Sequence, residues 1–341
     1  MHTPSARASS GLRTRAARAR ASTLLLSAAS SSPRVCHLYD VSDVLTPYAE
    51  AWGWQKALLE ARLDALAAAE DDVEMETQHL DEDNVGAEGA NGDAFGHEAL
   101  GARDALLLVQ HPPVVTLGTG STSDNLKFDP GAPDAPFPVH RTERGGEATY
   151  HGPGQLVLYP IMNLREQNPD LHWYMRSLEE VAIVAMDRLG VQGPGRVEGL
   201  TGAWANCGDG ELGGHDGGDL RGRPGSIGVR GAHKVAAIGV RARRWVTYHG
   251  MAFNVDPALR DFTHIVPCGI GDRPVGSVAQ MLGGGAGVIS SSDGVRGGGE
   301  DGGGGAAADP ELMGRAKEAL LAAFEEVFGM ELVYRGGPPP V

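Results

Sequence analysis

The sequence predicts a mixed α/β fold, built from a mixed sheet with flanking helices. Three short apolar runs, at residues 105–109, 155–161 and 235–240, have the length of buried strands and are bounded by Gly, Pro or charged residues. Longer stretches with apolar residues at helical spacing frame these runs. A sheet whose faces are covered by helices accounts for both patterns.

The helices are predicted from their apolar stripes and from the residues at their ends. The first stripe consists of Trp52, Gln55, Leu59 and Leu63. A second stripe, within residues 178–189, ends at Gly190, a residue type that commonly terminates helices. The last helix has both ends marked, because Asp309 can cap it, Pro310 suits its first turn and Gly329 stops it. We interpret these stripes as core, not as cofactor contacts.

The 341 residues are interpreted as one domain, 35–335, behind a targeting segment. Residues 1–34 contain six arginines, eight serines and no acidic residue, a composition typical of an organelle transit peptide. Their apolar patch is too short to span a membrane, and we expect the segment to be disordered. Such a composition does not separate a mitochondrial from a plastid destination.

Three interruptions of the domain are expected to be solvated loops. Residues 64–98 are acidic and Ala-rich, whereas residues 206–226 and 283–308 are dominated by Gly and Asp. The last two have too few apolar groups to offset the entropy lost on ordering, and we expect them to be disordered. The second interruption could lengthen a loop near Lys234, but an inert insertion is the preferred interpretation.

Charge and cysteine content exclude several classes of function. Lys and Arg number 29 against 44 Asp and Glu, which gives a net charge of −15 and argues against nucleic acid as a partner. The three cysteines lack metal-ligand spacing, so neither a zinc site nor a disulfide framework is predicted. This usage suits a reducing compartment.

Lys234 and Cys268 stand in two dense runs, at residues 233–241 and 264–270. A nearby ammonium favours the thiolate form of a cysteine, and a thiolate can carry an acyl group as a thioester. On these two residues alone, a buried cysteine and a surface lysine remain the alternative.

A third run, at residues 144–160, combines glycines with His, Thr, Tyr and Gln ahead of an apolar stretch. Glycines allow close approach of the backbone to a ligand, so the run is typical of a binding loop that leads into a strand. A tight turn before a buried strand is the alternative, since Gly152, Pro153 and Gly154 are ordinary turn residues.

Taken together, these runs resemble the lipoyl(octanoyl) transferase family. The specific motifs are RGGEATYHGPGQ (144–155), GAHKVAAIG (231–239), WVTYHGMAFNV (245–255) and IVPCGI (265–270), and weaker ones are YAEAWGWQKAL (48–58) and LLLVQHPPVVTLG (106–118). The motifs occur in the family's order and cover about residues 38–63, 100–205 and 227–282. The resemblance implies a fold similar to the catalytic domain of biotin and lipoate protein ligases.

The resemblance also implies a reaction and a set of site residues. The reaction is transfer of an octanoyl group from octanoyl-acyl-carrier protein to a lysine of lipoyl domains, with no cofactor and no metal. Cys268 falls on the family's nucleophile and Lys234 on the lysine thought to lower its pKa. The implied substrate-binding residues are Arg144, Gly145, Gly146, Glu147, Ala148, Thr149, Tyr150, His151, Ala237, Ile238, Gly239, Gly250, Met251 and Ala252.

The sequence does not identify the base for the second step, in which the acceptor lysine attacks the thioester. A lysine amine has a pKa of about 10.4 and must lose a proton when it attacks a thioester, so a base is needed. Lys234 and His151 are both candidates, and His249 is left out of the catalytic set. Backbone N–H groups near Cys268 or in the glycine-rich loop are candidate donors to the oxyanion.

Two other functions are weighed. An ATP-dependent lipoate or octanoate ligase would share the fold but would not need Cys268. A non-catalytic protein that binds acyl chains or lipoyl domains would not need an intact nucleophile and binding loop. The presence of Lys234 and Cys268 with the expected separation favours the transferase.

Partners follow from the implied reaction. The acceptors would be lipoyl domains of 2-oxo-acid dehydrogenase complexes and the glycine cleavage H protein, without a nucleic acid or membrane partner, and a monomer is the default. The mitochondrion is the preferred location, with the plastid as the alternative. Since acyl carrier proteins are generally acidic, Arg241, Arg243 and Arg244 are a hypothetical docking patch, and a salt-bridged strand end is its alternative.

Overall fold

The computed structural model describes residues 33–79, 100–206, 231–266, 274–283 and 308–341, and for residues 71–79 only the backbone is considered. Residues 35–341 form one compact unit. The predicted transit peptide (apart from its last two residues), the central parts of the three predicted insertions and Cys268 lie outside the described residues. Strand β1 begins at Arg34, so this last residue of the predicted transit segment belongs to a strand.

The described strands are β1 Arg34–Leu45, β2 Asp104–Gln110, β3 Val114–Leu117, β4 Val139–Arg141, β5 Ala148–His151, β6 Gln155–Ile161, β7 Ala203–Asn206, β8 Ala232–Arg243, β9 Val246–Asn254 and β10 Met330–Tyr334. The described helices are α1 Tyr48–His79, α2 Leu171–Arg188, α3 Val278–Met281 and α4 Pro310–Phe328, with short 3-10 turns at Ser123–Asn125, Leu164–Glu166 and Leu259–His264. None of the helices in these ranges is long and apolar enough to cross a membrane.

A seven-stranded mixed sheet forms the centre of the fold, in the order β10-β1-β2-β6-β9-β8-β7. Strands β1 and β2 are parallel, whereas the pairs from β2 to β7 along the sheet are antiparallel. The predicted mixed α/β class is therefore confirmed. The three predicted strand runs correspond to β2, β6 and β8.

The central strands are apolar on both faces because both faces are covered. Leu106 and Leu158 face a cluster that includes residues of α2 and α4, while Leu107 and Val157 face α1. Side chains alternate along a strand, so each apolar run supplies both cores. Strands β6 and β9 contribute residues to both clusters, whereas β8 contributes to the first only.

The helix ends follow the predicted signals. Asp309 accepts the backbone N–H of Glu311 at 2.9 Å, and Gly329 ends α4 with a left-handed φ of 60°. The expectation of a loop from Asp64 onward is wrong over its first part, since α1 continues to His79. Residues 65–69 are Ala and Leu, which are strong helix formers, and Leu66 packs against the α1 core.

A second, three-stranded sheet in the order β4-β3-β5 carries the glycine-rich segment. Its apolar face includes Val115, Tyr150, Phe262 and Ile265. Strand β5 pairs with β3, from Ala148 opposite Leu117 to His151 opposite Val114. The small sheet therefore holds residues 144–151 in a defined position.

Candidate active site

A pocket lies where β8 and β9 meet the glycine-rich segment and the start of α1. It contains about 470 Å³ of free space, solvent at its mouth included. Its lining consists of Tyr48, Arg144, Gly146, Glu147, Thr149, His151, Tyr159, Ala237, Ile238, Gly239, His249, Gly250, Met251 and Ala252. Segments nearly 100 residues apart in the chain thus share one concave surface.

All the predicted substrate-binding residues line this pocket except Gly145, Ala148 and Tyr150. Ala148 and Tyr150 belong to the core of the small sheet, because side chains alternate along β5. The Tyr150 hydroxyl donates to Asp261 at 2.7 Å. Gly145 donates its backbone N–H to Val240 at 2.9 Å, which joins the glycine-rich segment to β8.

Strand pairing brings the two remaining predicted segments together. Ala237 lies opposite Ala252, and Gly239 lies opposite Gly250, in adjacent strands β8 and β9. A Cβ at Gly239 would lie 3.0 Å from the Gly145 oxygen, so the close approach of the glycine-rich segment requires a glycine there. Small residues keep the sheet surface open at this point.

Arg144 joins the glycine-rich segment to β3 by hydrogen bonds. Its Nη2 donates to the Thr116 carbonyl at 2.8 Å, to the Thr116 hydroxyl at 2.9 Å and to the Glu147 carbonyl at 2.8 Å. Charge-assisted hydrogen bonds of this kind are strong, so they fix the segment against β3. Arg144 therefore shapes the pocket as well as lining it.

His151 is buried at the end of β5 and contacts other polar groups. Its Nδ1 lies 2.7 Å from Gln155 Oε1, and its Nε2 lies 3.5 Å from the Thr116 hydroxyl. Burial, aided by nearby His111, holds the pKa of His151 well below its usual value. The imidazole is neutral at physiological pH.

His111 and Tyr159 form a second buried pair that the sequence patterns did not single out. His111 Nδ1 lies 2.7 Å from the Thr46 carbonyl, which can only accept, so this nitrogen carries the hydrogen. Nε2 consequently accepts from the Tyr159 hydroxyl at 2.8 Å. Burial lowers the pKa of His111 to about 4 and raises the pKa of Tyr159 well above its usual value.

His249, which the sequence-based prediction left out of the catalytic set, lines the pocket in a constrained conformation. Its φ of 57° is unusual for a residue with a side chain, and its backbone N–H donates to Gln55 at 2.9 Å. Burial lowers the pKa of His249 to about 3, with a further contribution from Arg144. Nothing in the sequence pattern marks this backbone geometry.

Lys234 lies in β8 and is 7% exposed, but it is not part of the pocket lining. Its Nζ lies 5.1 Å from the centre of the Trp204 ring, within the range of a cation–π contact. Its backbone N–H donates to Pro274 at 3.0 Å, and its carbonyl accepts from Gly276 at 3.0 Å. On the other side of the undescribed segment with Cys268, Val266 donates to Asn125 at 2.9 Å.

The hypothetical docking patch is largely ion-paired. Arg243 forms a bidentate salt bridge with Glu60 of α1, in which Nη1 donates to Oε1 at 2.7 Å. Arg244 lies 3.3 Å from Glu70. The contacts correspond to the salt-bridged alternative for Arg243 and Arg244.

Within the described ranges, no group of three or more His, Cys, Asp or Glu side chains is arranged to hold a metal ion.

Comparison with known proteins places this fold and pocket in a family. Residues 93–291 match the profile of the lipoyl protein ligase A/B catalytic domain. A chloroplastic octanoyltransferase of Arabidopsis thaliana is 37% identical over 302 residues, which cover 89% of this chain and 82% of the relative. An octanoyltransferase of Synechocystis sp. is 52% identical over 181 residues, which cover 53% of this chain and 67% of the relative.

Solved structures with similar folds include two ligases. A bipartite lipoate protein ligase of Thermoplasma acidophilum has a TM-score of 0.48 at 14% identity, covering 89% of this chain and 88% of that one. A lipoate-protein ligase A bound with ATP has a TM-score of 0.46 at 13% identity, covering 90% and 89%.

The match to the family profile places the protein in the class of lipoyl protein ligase A/B catalytic domains. The chain belongs to the lipoyl(octanoyl) transferase family, as the motifs predicted, and it is a transferase.

Proposed function

We propose that this transferase moves an octanoyl group from octanoyl-acyl-carrier protein to a lysine of lipoyl domains, through a thioester on Cys268. The observation that carries the proposal is the pocket formed by the predicted substrate segments. Relatives named octanoyltransferases support the choice of acyl group.

The lining suits an acyl chain with a reactive carbonyl at one end. Ala237, Ile238, Met251 and Ala252 provide apolar contacts, while His151 and Thr149 provide polar ones. Such a division between an apolar body and a few polar groups is typical of small-molecule sites. The apolar part would hold the hydrocarbon chain, and the polar part would face the thioester.

The chemistry needs no ATP. The donor is already a thioester, so attack by a Cys268 thiolate exchanges one thioester for another at little thermodynamic cost. Attack by the acceptor amine then forms an amide and releases the thiol. The second step is downhill because an amide is more stable than a thioester.

Lys234 fits the role of the cation that promotes the Cys268 thiolate. Its backbone bonds to Pro274 and Gly276, the residues that resume the chain shortly after Cys268. The Trp204 ring and the close approach of Gly202 fix its side chain. An ammonium held near a thiol favours the charged form of that thiol.

The acceptors would be lipoyl domains of 2-oxo-acid dehydrogenase complexes and the glycine cleavage H protein. The location is proposed as an organelle entered through residues 1–34. The chloroplastic relative favours the plastid, the alternative drawn from the sequence, over the mitochondrion. A fluorescent fusion of residues 1–34 tests this choice, and labelling of mitochondria would reverse it.

The thioester is tested by intact mass after incubation with octanoyl-acyl-carrier protein in the absence of ATP. The wild type should gain one octanoyl group that hydroxylamine removes. Cys268→Ala should gain none, whereas the matched cysteine variant Cys207→Ala should load like the wild type. An unloaded wild type that acts only with free octanoate and ATP would identify a ligase instead.

A further inference from the structure

The hydrogen bonds around His151 form a relay with a defined direction. His151 Nδ1 lies 2.7 Å from Gln155 Oε1, Gln155 Nε2 donates to Asn254 Oδ1 at 2.9 Å, and Asn254 Nδ2 donates to the Gly276 carbonyl at 3.0 Å. Gln155 and Asn254 are cross-strand partners in β6 and β9. All three side chains of the relay are buried.

Backbone carbonyls determine this direction because they can only accept. The Gly276 carbonyl requires an N–H from Asn254, which leaves the amide oxygen of Asn254 facing Gln155. The Tyr150 carbonyl, 3.3 Å from Gln155 Nε2, orients the Gln155 amide in the same way. Gln155 Oε1 therefore accepts, and the hydrogen of the neutral His151 ring is on Nδ1.

The remaining ring nitrogen, Nε2, then carries a lone pair. The Thr116 hydroxyl, whose oxygen accepts from Arg144, can donate its hydrogen to Nε2 only over 3.5 Å, at the limit of a hydrogen bond. Because the pKa of His151 lies well below its usual value, protonation does not remove this lone pair at physiological pH. His151 is one of the residues that line the pocket.

We propose that Gln155 and Asn254 are positioning residues that hold His151 as the Nδ1–H tautomer, and that His151 Nε2 takes the proton of the acceptor amine. This inference rests on the proposed function and resolves its open base. The amine nitrogen bonds to the thioester carbon, its proton passes to Nε2, the bond from carbon to the Cys268 sulfur breaks, and Nε2 returns the proton to that sulfur. One amide and one thiol result.

The same relay connects the histidine to the proposed lysine. Gly276 donates its N–H to the Lys234 carbonyl at 3.0 Å while its own carbonyl accepts from Asn254. One residue thus sets the position of β8 at Lys234 and the tautomer of His151. Lys234 and His151 are proposed to act in successive steps on the same thioester, and each step requires its group to be held in position. Gly276 contributes to the position of both.

Nitrogen-15 spectra of histidine-labelled protein, without substrate, test the tautomer. His151→Gln assigns the His151 signals. We expect an unprotonated Nε2 and a protonated Nδ1 in the wild type, and loss of that preference in Gln155→Met, which has a similar shape but no amide. The exposed Gln192→Met is the matched control and should leave the spectrum unchanged. A wild-type His151 with its hydrogen on Nε2 overturns the relay.

Separated half-reactions test the role of Nε2. Loading is measured with a small octanoyl thioester, and discharge is measured by adding a lipoyl domain to the loaded enzyme. We expect Gln155→Met to discharge about ten to a hundred times more slowly while loading within about twofold of wild type, as for loss of a positioned base. Equal losses in both halves would contradict a role specific to the second half.

Asn254→Leu provides a second variant should Gln155→Met fold poorly. It leaves Gln155 oriented by the Tyr150 carbonyl, so we expect a smaller slowing of discharge with the same sparing of loading. A discharge rate equal to wild type overturns the part assigned to Asn254. A wild type that never loads contradicts the proposed function and the proton transfer together, whereas the substrate-free spectra still decide the tautomer.

Discussion

The amide of Gly276 donates to the carbonyl of Lys234 at 3.0 Å and thereby adds a short extended segment to the edge of β8. A Cβ at Gly276 would lie 2.7 Å from His233 Cβ, which is closer than real side chains approach. This glycine therefore permits the contact that ties Lys234 to the chain following Cys268.

Gly276→Ala should push this segment away from β8. We expect a loss of about 1–3 kcal/mol in the free energy of unfolding, typical of overpacking, together with slower loading. Gly314→Ala is the matched control, because Gly314 lies on the exposed face of α4 with open space around the position of an added Cβ, and alanine there should stabilise by roughly 0.5–1 kcal/mol. Urea unfolding of both variants checks the contrast, and an unchanged Gly276→Ala would refute it.

The side chain of Lys234 depends on a second glycine. Gly202 has a φ of 124°, and a Cβ there would lie 2.9 Å from Lys234 Cε and 2.5 Å from the Ala236 oxygen. We expect Gly202→Ala to displace the lysine and slow loading at least about tenfold, as expected when a catalytic group is misplaced. Gly199→Ala is the control for backbone strain alone, because Gly199 has a φ of 77° but open space around the position of an added Cβ. Similar loading rates in the two variants would argue against the displacement.

Selectivity for the length of the acyl chain should depend on Ala237 and Ala252. Both residues line the pocket from adjacent strands, so a larger side chain would take space from the hydrocarbon. We expect Ala252→Leu to lower kcat/KM for an octanoyl thioester at least about tenfold while sparing a butanoyl thioester, since each buried methylene contributes about 0.8 kcal/mol. Ala242→Val, in β8 but outside the lining, is the control. Equal losses for both substrates would contradict this assignment.

Because Arg243 and Arg244 form ion pairs, removal of their charges should have little effect on recognition of the carrier-bound donor. Arg243 already neutralises Glu60, and exposed ion pairs of this kind contribute little because solvent screens them. We expect Arg243→Ala to change the KM of octanoyl-acyl-carrier protein by less than about threefold, the same as for a small thioester. A large rise confined to the carrier-bound donor would restore the docking hypothesis.

The buried histidines predict a loss of stability in mild acid. The pKa of His111 is about 4 in the folded protein against an ordinary value near 6.5, so the unfolded chain binds the proton first. The contribution of His111 to the free energy of unfolding is therefore complete above about pH 6.5 and is lost as the pH falls toward 4. This loss amounts to roughly 1–3 kcal/mol. His111→Gln should reduce this acid sensitivity, and the exposed His172→Gln should not. Urea unfolding at about pH 7.5 and about pH 5, on either side of the ordinary histidine pKa, makes the comparison.

The elements that sequence patterns predicted are those whose signals are local. Gln155–Ile161 and the capped helix from Pro310 to Phe328 were predicted closely because apolar runs and end residues lie within the segment itself. The continuation of α1 past Asp64 was missed, because a run of acidic residues suggested solvation while Ala and Leu still favoured a helix.

Most of the pocket followed from motifs, but its polar contacts did not. His111, Tyr159 and His249 owe their positions to strand register and to hydrogen bonds between distant segments. The strand alternation of β6 was the one signal that could have placed Tyr159 on the α1 face. The nucleophilic role of Cys268 remains a prediction, because this residue lies outside the described ranges.

Transfer to the acceptor tests the central claim most directly. A lipoyl domain is incubated with octanoyl-acyl-carrier protein and the enzyme without ATP, and the acceptor mass is followed. We predict the gain of one octanoyl group on its lysine with wild type and none with Cys268→Ala. Acceptor modification that requires ATP and free octanoate, or that persists in Cys268→Ala, would contradict transfer through a cysteine thioester.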